Sequence, residues 1–125
     1  MKITFQRPAS HVLAAIFLAL LGVNAPQAQT INGAEGQVMV ARGALLVDVR
    51  TPQEFSAGHV EGAINIPHTD VESRASEFGE NKDREIVLYC RSGHRSGLAQ
   101  ESLKALGYTK VFNAGAFQDW PLSGG

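Results

Sequence analysis

The chain has 125 residues, 44% of them hydrophobic and 18% charged, which is the size and balance of one globular domain and argues against disorder. Eleven Lys+Arg stand against twelve Asp+Glu, a formal net charge of −1. That balance argues against a nucleic-acid partner, since nucleic acid is bound largely through phosphate neutralisation by basic side chains.

At the N-terminus, Lys2 and Arg7 precede VLAAIFLALLGV, an uncharged apolar run from Val12 to Val23. Twelve residues suit the core of a signal peptide and fall short of the roughly 20 that span a membrane. Residues 1–28 are therefore predicted to be a signal peptide cut after Ala28. Pro26 is an unusual residue three positions before that cut, and an uncleaved anchor is the alternative. The remainder, 29–125, carries nine basic against twelve acidic side chains, net −3. It is expected to be a periplasmic monomer, free of the membrane once the leader is removed.

Short apolar runs then alternate with helical patterns, with no repeat and no second domain boundary. Ala44–Val49 (ALLVDV) reads as a buried strand. Thr51 follows as an N-cap, with Pro52 at the first helical position, Glu54 completing a capping box and Gly58 as the stop. GAINIP predicts a short strand closed by Pro67, after which Thr69 and Glu72 repeat the capping-box spacing and predict a second helix toward Phe78. Glu85–Cys90 (EIVLYC) is the clearest strand. The segment SGLAQESLKALG predicts a helix with Leu98, Ala99, Leu103 and Leu106 on one face, Ser96 as a candidate N-cap and Gly107 as the stop. TKVFN is the last strand, and Phe117 and Trp120 are expected to be core aromatics. This alternation predicts an α/β fold: a mostly parallel central sheet with helices on both faces.

In such sheets ligands sit beyond the carboxyl ends of the strands, where Cys90 falls. It is the one cysteine in the chain, so it cannot form an internal disulfide. It is either a small buried apolar residue or a reactive group, and its neighbours favour the second. An ordinary thiol is only about 3% ionised at pH 7. The loop Cys90-Arg91-Ser92-Gly93-His94-Arg95-Ser96 leads straight into a helix, whose first turn has unpaired N–H groups and a partial positive charge. Gly93 and Gly97 permit turns that aim amides at one point, and Arg91 and Arg95 add permanent charge. A thiol pKa lowered by two units would favour the thiolate by about 2.7 kcal/mol. The same donors would bind a small oxyanion. Sulfur attack on a phosphate ester or on the outer sulfur of thiosulfate both fit.

LLVDVRTPQEFSAGHVEGAINIP, the YCRSGHRS loop, ALGYTKVFNAGAF and Trp120-Pro121 together resemble the rhodanese family of sulfurtransferases, in its small, exported, single-domain form. The resemblance runs from about Gly33 to Trp120. It implies a rhodanese-like domain that takes sulfane sulfur from thiosulfate onto Cys90 as a persulfide and passes it to cyanide or a thiol acceptor, with no metal or other cofactor. Family sulfurtransferases use a six-residue loop, as Cys90 to Arg95 is here, whereas related phosphatases use seven. The alternatives are a persulfide carrier that serves a partner protein without turnover, and a cysteine-dependent phosphatase or arsenate reductase.

Around Cys90, the substrate-binding candidates are Arg91, Ser92, Gly93, His94, Arg95 and Ser96. Asp48 and Arg50, at the end of the first strand, are supporting candidates, either adding to the positive field or forming a structural ion pair. His59 is read as a packing residue and His68 as a loop residue. The scattered histidines give no metal signature, and His94 lacks the orienting third group of a Cys–His protease.

Overall fold

A computed structural model describes residues 29–121. The predicted signal peptide and its cut after Ala28 lie outside the described residues. The apolar runs form β1 (Leu45–Asp48), β2 (Ile64–Asn65), β3 (Glu85–Cys90) and β4 (Lys110–Ala116), joined in one sheet in the order β2-β1-β3-β4. Every pairing is parallel. The helices are α1 (Gly33–Ala41), α2 (Pro52–Ala57) and α3 (His94–Ala105). None of the described helices is long and apolar enough to cross a membrane.

Because side chains alternate across a strand, each central strand feeds two cores. Val47, Ile86, Leu88, Cys90 and Val111 turn to one face, where they meet Ala99 and Leu103 of α3 together with Val71 and Phe78. Leu46, Val87, Tyr89 and Phe112 turn to the other, against Met39 of α1, Phe55 of α2 and Trp120. Both faces are thus covered, as the continuous apolar run of β3 requires.

At α2 the sequence signals are satisfied in full. The Thr51 hydroxyl accepts from Glu54 N–H at 3.2 Å, and the Glu54 carboxylate accepts from Thr51 N–H at 3.1 Å. An unanticipated helix, α1, precedes β1 with the same device built from Asn32 and Glu35. Its glycines obscure it in the sequence, yet Gly36 has to be small: a Cβ there would lie 2.8 Å from the Trp120 ring.

Three expectations need correction. The helix expected from Thr69 toward Phe78 is instead two 3-10 turns, His68–Asp70 and Ala75–Phe78, joined by turns. Its buried anchors, Val71 and Phe78, are two turns apart with only partly buried Arg74 and Ala75 between them, which is too little packing to hold a continuous helix. Ser96 does not cap α3: the cap is Gly93, and Ser96 lies buried in the first turn. That earlier start rotates the helix. Ser96, Ala99, Gln100 and Leu103 face inward, and Leu98, two residues beyond Ser96 and so about 200° around, is 47% exposed.

Candidate active site

Cys90 ends β3 on the face that α3 covers, so the chain needs only a short turn to bring the helix N-terminus back over the sulfur. Gly93 makes that turn. Its φ of 95° is left-handed, a conformation that calls for glycine, and an added Cβ would stand in ordinary contact, 3.4 Å from the Gly115 Cα. The Gly93 N–H donates to Cys90 Sγ at 3.0 Å, and the Ser96 N–H and hydroxyl reach the same atom at 3.4 Å each.

The sulfur is fully buried, yet it is not surrounded by hydrocarbon alone. Burial pushes the Cys90 thiol up. Hydrogen bonds from the Ser96 hydroxyl and from the N–H groups of Ser96, Ser92 and Gly93 pull it down further, and the balance lies below the ordinary thiol value. The arrangement therefore favours the thiolate, the nucleophilic form of the side chain, relative to an ordinary cysteine.

Arg95 meets a partner that the sequence did not disclose. Its guanidinium binds the Glu54 carboxylate with two hydrogen bonds, 2.8 and 3.0 Å. Held mainly by Arg95 and also by Thr51, the Glu54 carboxyl falls to about 2. Glu54 thus caps α2 with one oxygen and ties α2 to the cysteine loop with both. The capping-box spacing finds Glu54, but only the tertiary fold shows that Arg95 reaches it.

Asp48 and Arg50 form a buried ion pair behind the loop. Arg50 Nε lies 2.9 Å from Asp48 Oδ1, and another of its nitrogens is 2.6 Å from both Asp48 Oδ2 and the Gly58 carbonyl. The guanidinium carbon sits 4.3 Å from the Phe117 ring centre. These contacts brace the β1 end against α2 and the chain after β4. Arg91, Ser92 and His94 are exposed, and Gly93 and Arg95 are half-buried. His59 stacks on Phe55 at 3.7 Å and pairs through Nδ1 with the Phe55 carbonyl at 2.8 Å, a packing role. Among the described residues no group of three or more His, Cys, Asp or Glu side chains is gathered to hold a metal. A groove of about 580 Å³ lies on the other face, lined by Leu46, Val60, Phe117 and Trp120, and contains none of the loop residues.

Asn113 of β4 is a second site residue that no local sequence signal marks. It contacts Gly93 and Ser96, and alternation along TKVFN places it with Val111 on the α3 face.

Comparison with known proteins places this geometry in a wider group. The model of the rhodanese-like domain matches residues 28–122. Thiosulfate sulfurtransferase PspE of Escherichia coli is 42% identical over 73 residues, 58% of this chain and 70% of that protein. Human thiosulfate:glutathione sulfurtransferase is 34% identical over 107 residues, covering 74% of this chain and 93% of the relative. A solved structure described as a rhodanese with anions from Escherichia coli is 40% identical, with a TM-score of 0.59 over 63% of this chain and 95% of that one. With a cysteine loop folded over a parallel sheet and a family match across all the described residues, this chain belongs to the rhodanese-like domain family.

Proposed function

We propose that the protein is a sulfurtransferase that moves sulfane sulfur from thiosulfate, through a Cys90 persulfide, to cyanide or a small thiol. The observation that carries this reading is the convergence of two N–H groups and one hydroxyl on Cys90 Sγ at 3.0–3.4 Å. Relatives named thiosulfate sulfurtransferase support sulfurtransferase chemistry, and one named for glutathione supports a thiol as acceptor.

In the first half-reaction the thiolate attacks the outer sulfur of thiosulfate. A new S–S bond forms at Cys90, the S–S bond of thiosulfate breaks, and its electron pair leaves with sulfite. No proton is required, and total charge is conserved. In the second half the acceptor attacks the outer persulfide sulfur, and the bonding pair returns to Cys90 Sγ. Cyanide gives thiocyanate, and a thiolate gives a new persulfide. The donors that hold Sγ serve it both as nucleophile and as leaving group, because each role needs the same negative sulfur. Phosphoryl transfer would in addition want an acid for the leaving group; within the loop His94 alone offers one, and it is exposed.

The protein freed of residues 1–28, mixed with thiosulfate and cyanide, should release sulfite and thiocyanate. Mass spectrometry after thiosulfate alone should show a gain of one sulfur atom on Cys90. Cys90→Ser should abolish both. Loading without turnover would mean a carrier, and phosphatase activity without loading would overturn the proposal.

A further inference from the structure

Asn113 sits opposite Leu88 in the β3–β4 pairing, on the face of the sheet that α3 covers. Its main chain is occupied outward, where its N–H donates to the Gln29 carbonyl at 2.8 Å and its carbonyl accepts from Ile31 N–H at 2.9 Å. The side-chain amide is left for the interior. Nδ2 donates to the Gly93 carbonyl at 3.0 Å, while Oδ1 accepts from the Ser96 hydroxyl at 2.7 Å and from Gly115 N–H at 2.9 Å. Gly115 N–H can only donate and the Gly93 carbonyl can only accept, so the amide has one satisfactory orientation.

Gly93 and Ser96 also donate N–H groups to Cys90 Sγ, at 3.0 and 3.4 Å. Asn113 therefore grips both donors from behind without touching the sulfur. The Ser96 hydroxyl has one proton and three acceptors in range: Asn113 Oδ1 at 2.7 Å, the Gly93 carbonyl at 3.1 Å and Cys90 Sγ at 3.4 Å. Beside a neutral thiol, Asn113 Oδ1 can take that proton. Beside a thiolate, the hydroxyl can turn to sulfur, and Oδ1 still keeps Gly115 N–H, so no buried acceptor is left empty.

We propose that Asn113 is a positioning residue for the Cys90 nucleophile, its amide fixing Gly93 and Ser96 so that their donors converge on the sulfur. The inference rests on the reading of Cys90 as the nucleophile, but its test uses no sulfur donor. Thiolate absorbance in the far ultraviolet is titrated in the full chain, with Cys90→Ser subtracted. The charged groups near the loop, Arg91, His94, Arg95, Glu54, Asp48 and Arg50, are the same in every variant compared. Asn113→Ala should raise the Cys90 midpoint by about one pH unit, a roughly tenfold loss of thiolate below the midpoint. Ser96→Ala should act in the same direction. The double variant should lose less than the sum of the two, because both changes remove one network. If Asn113→Ala does not fold by circular dichroism, Asn113→Thr, which suits a strand and cannot hold Gly93 and Ser96 together, takes its place. An unchanged midpoint, or strictly additive effects, overturns the proposal. Wild-type protein that loads sulfur while the Asn113 variant titrates normally would sink this inference alone.

Discussion

Glu54→Gln tests the link between α2 and the cysteine loop. The amide can still accept from Thr51 N–H, so the helix cap survives while the ion pair to Arg95 is lost. In the folded protein the Glu54 carboxyl lies at about 2, against an ordinary 4.5. At about 1.4 kcal/mol per pH unit that gap would amount to about 3 kcal/mol if fully expressed. The two side chains are 27% and 24% exposed, however, and water screens them, so about 1–2 kcal/mol is expected at pH 7. The folded pKa is the lower one. The contribution is therefore complete above about pH 4.5 and is lost as pH falls toward about 2. Urea unfolding of wild type and variant across this range should show wild type more stable at pH 7, with the gap narrowing below pH 4.5 and closing near pH 2. Other carboxylates with lowered values, such as Glu77 and Glu85, titrate in both proteins and cancel in the difference. A gap that ignores pH, or no gap at all, would refute the pairing.

Arg95→Ala should reduce sulfur loading at saturating thiosulfate more than Arg91→Ala does, because Arg95 anchors the loop to Glu54. Arg91 is exposed, and its loss should appear chiefly as a several-fold higher KM for thiosulfate. Equal, small effects would show that the anion lies elsewhere. Gly93→Ala puts a side chain at a left-handed φ, so it should cost roughly 1–2 kcal/mol of stability. It should also raise the Cys90 midpoint, since the 3.0 Å donor is its own N–H. A variant that lost stability but kept its thiolate would show that the other donors suffice.

Much of this site is local in sequence and was legible for that reason. Cys90, its six-residue loop and the helix that follows are contiguous, and the apolar run of β3 fixes where the loop begins. Thr51, Pro52 and Glu54 announce α2 through backbone chemistry within one turn. What stayed hidden depends on distance along the chain. Glu54 and Arg95 are 41 residues apart, and Ser96 and Asn113 are 17 apart. Neither pairing leaves a mark on its own neighbourhood. The inward face of α3 differs from the expected one because hydrophobicity points to Leu98, whereas the sulfur claims the polar Ser96 and thereby sets the phase of the whole helix. The α1 capping box is present in the sequence, but two glycines in its first turn give that segment the composition of a loop.

A fully buried sulfur with a lowered pKa is a contest between two terms of opposite sign. Removing a negative charge from water costs several kcal/mol even after relaxation. Hydrogen bonds to the charged form work against that cost, and here three donors reach Sγ. The parity of β3 makes three possible. Leu88 and Cys90 share the α3 face, while Tyr89 between them packs with Phe117 and Trp120 on the other. Had the cysteine stood one position earlier, it would face α1 and α2 and turn away from the N-terminus of α3. The pairing with β4 adds to this. Leu88 lies opposite Asn113 and Cys90 opposite Ala116, so β4 carries one extra residue there, and Gly115, with φ of 78°, takes up the bulge. That irregularity lets Gly115 N–H turn to the Asn113 side chain while Gly93 packs against Gly115 Cα. The reactivity of Cys90 is thus set by strand parity and one bulge as much as by the loop residues beside it.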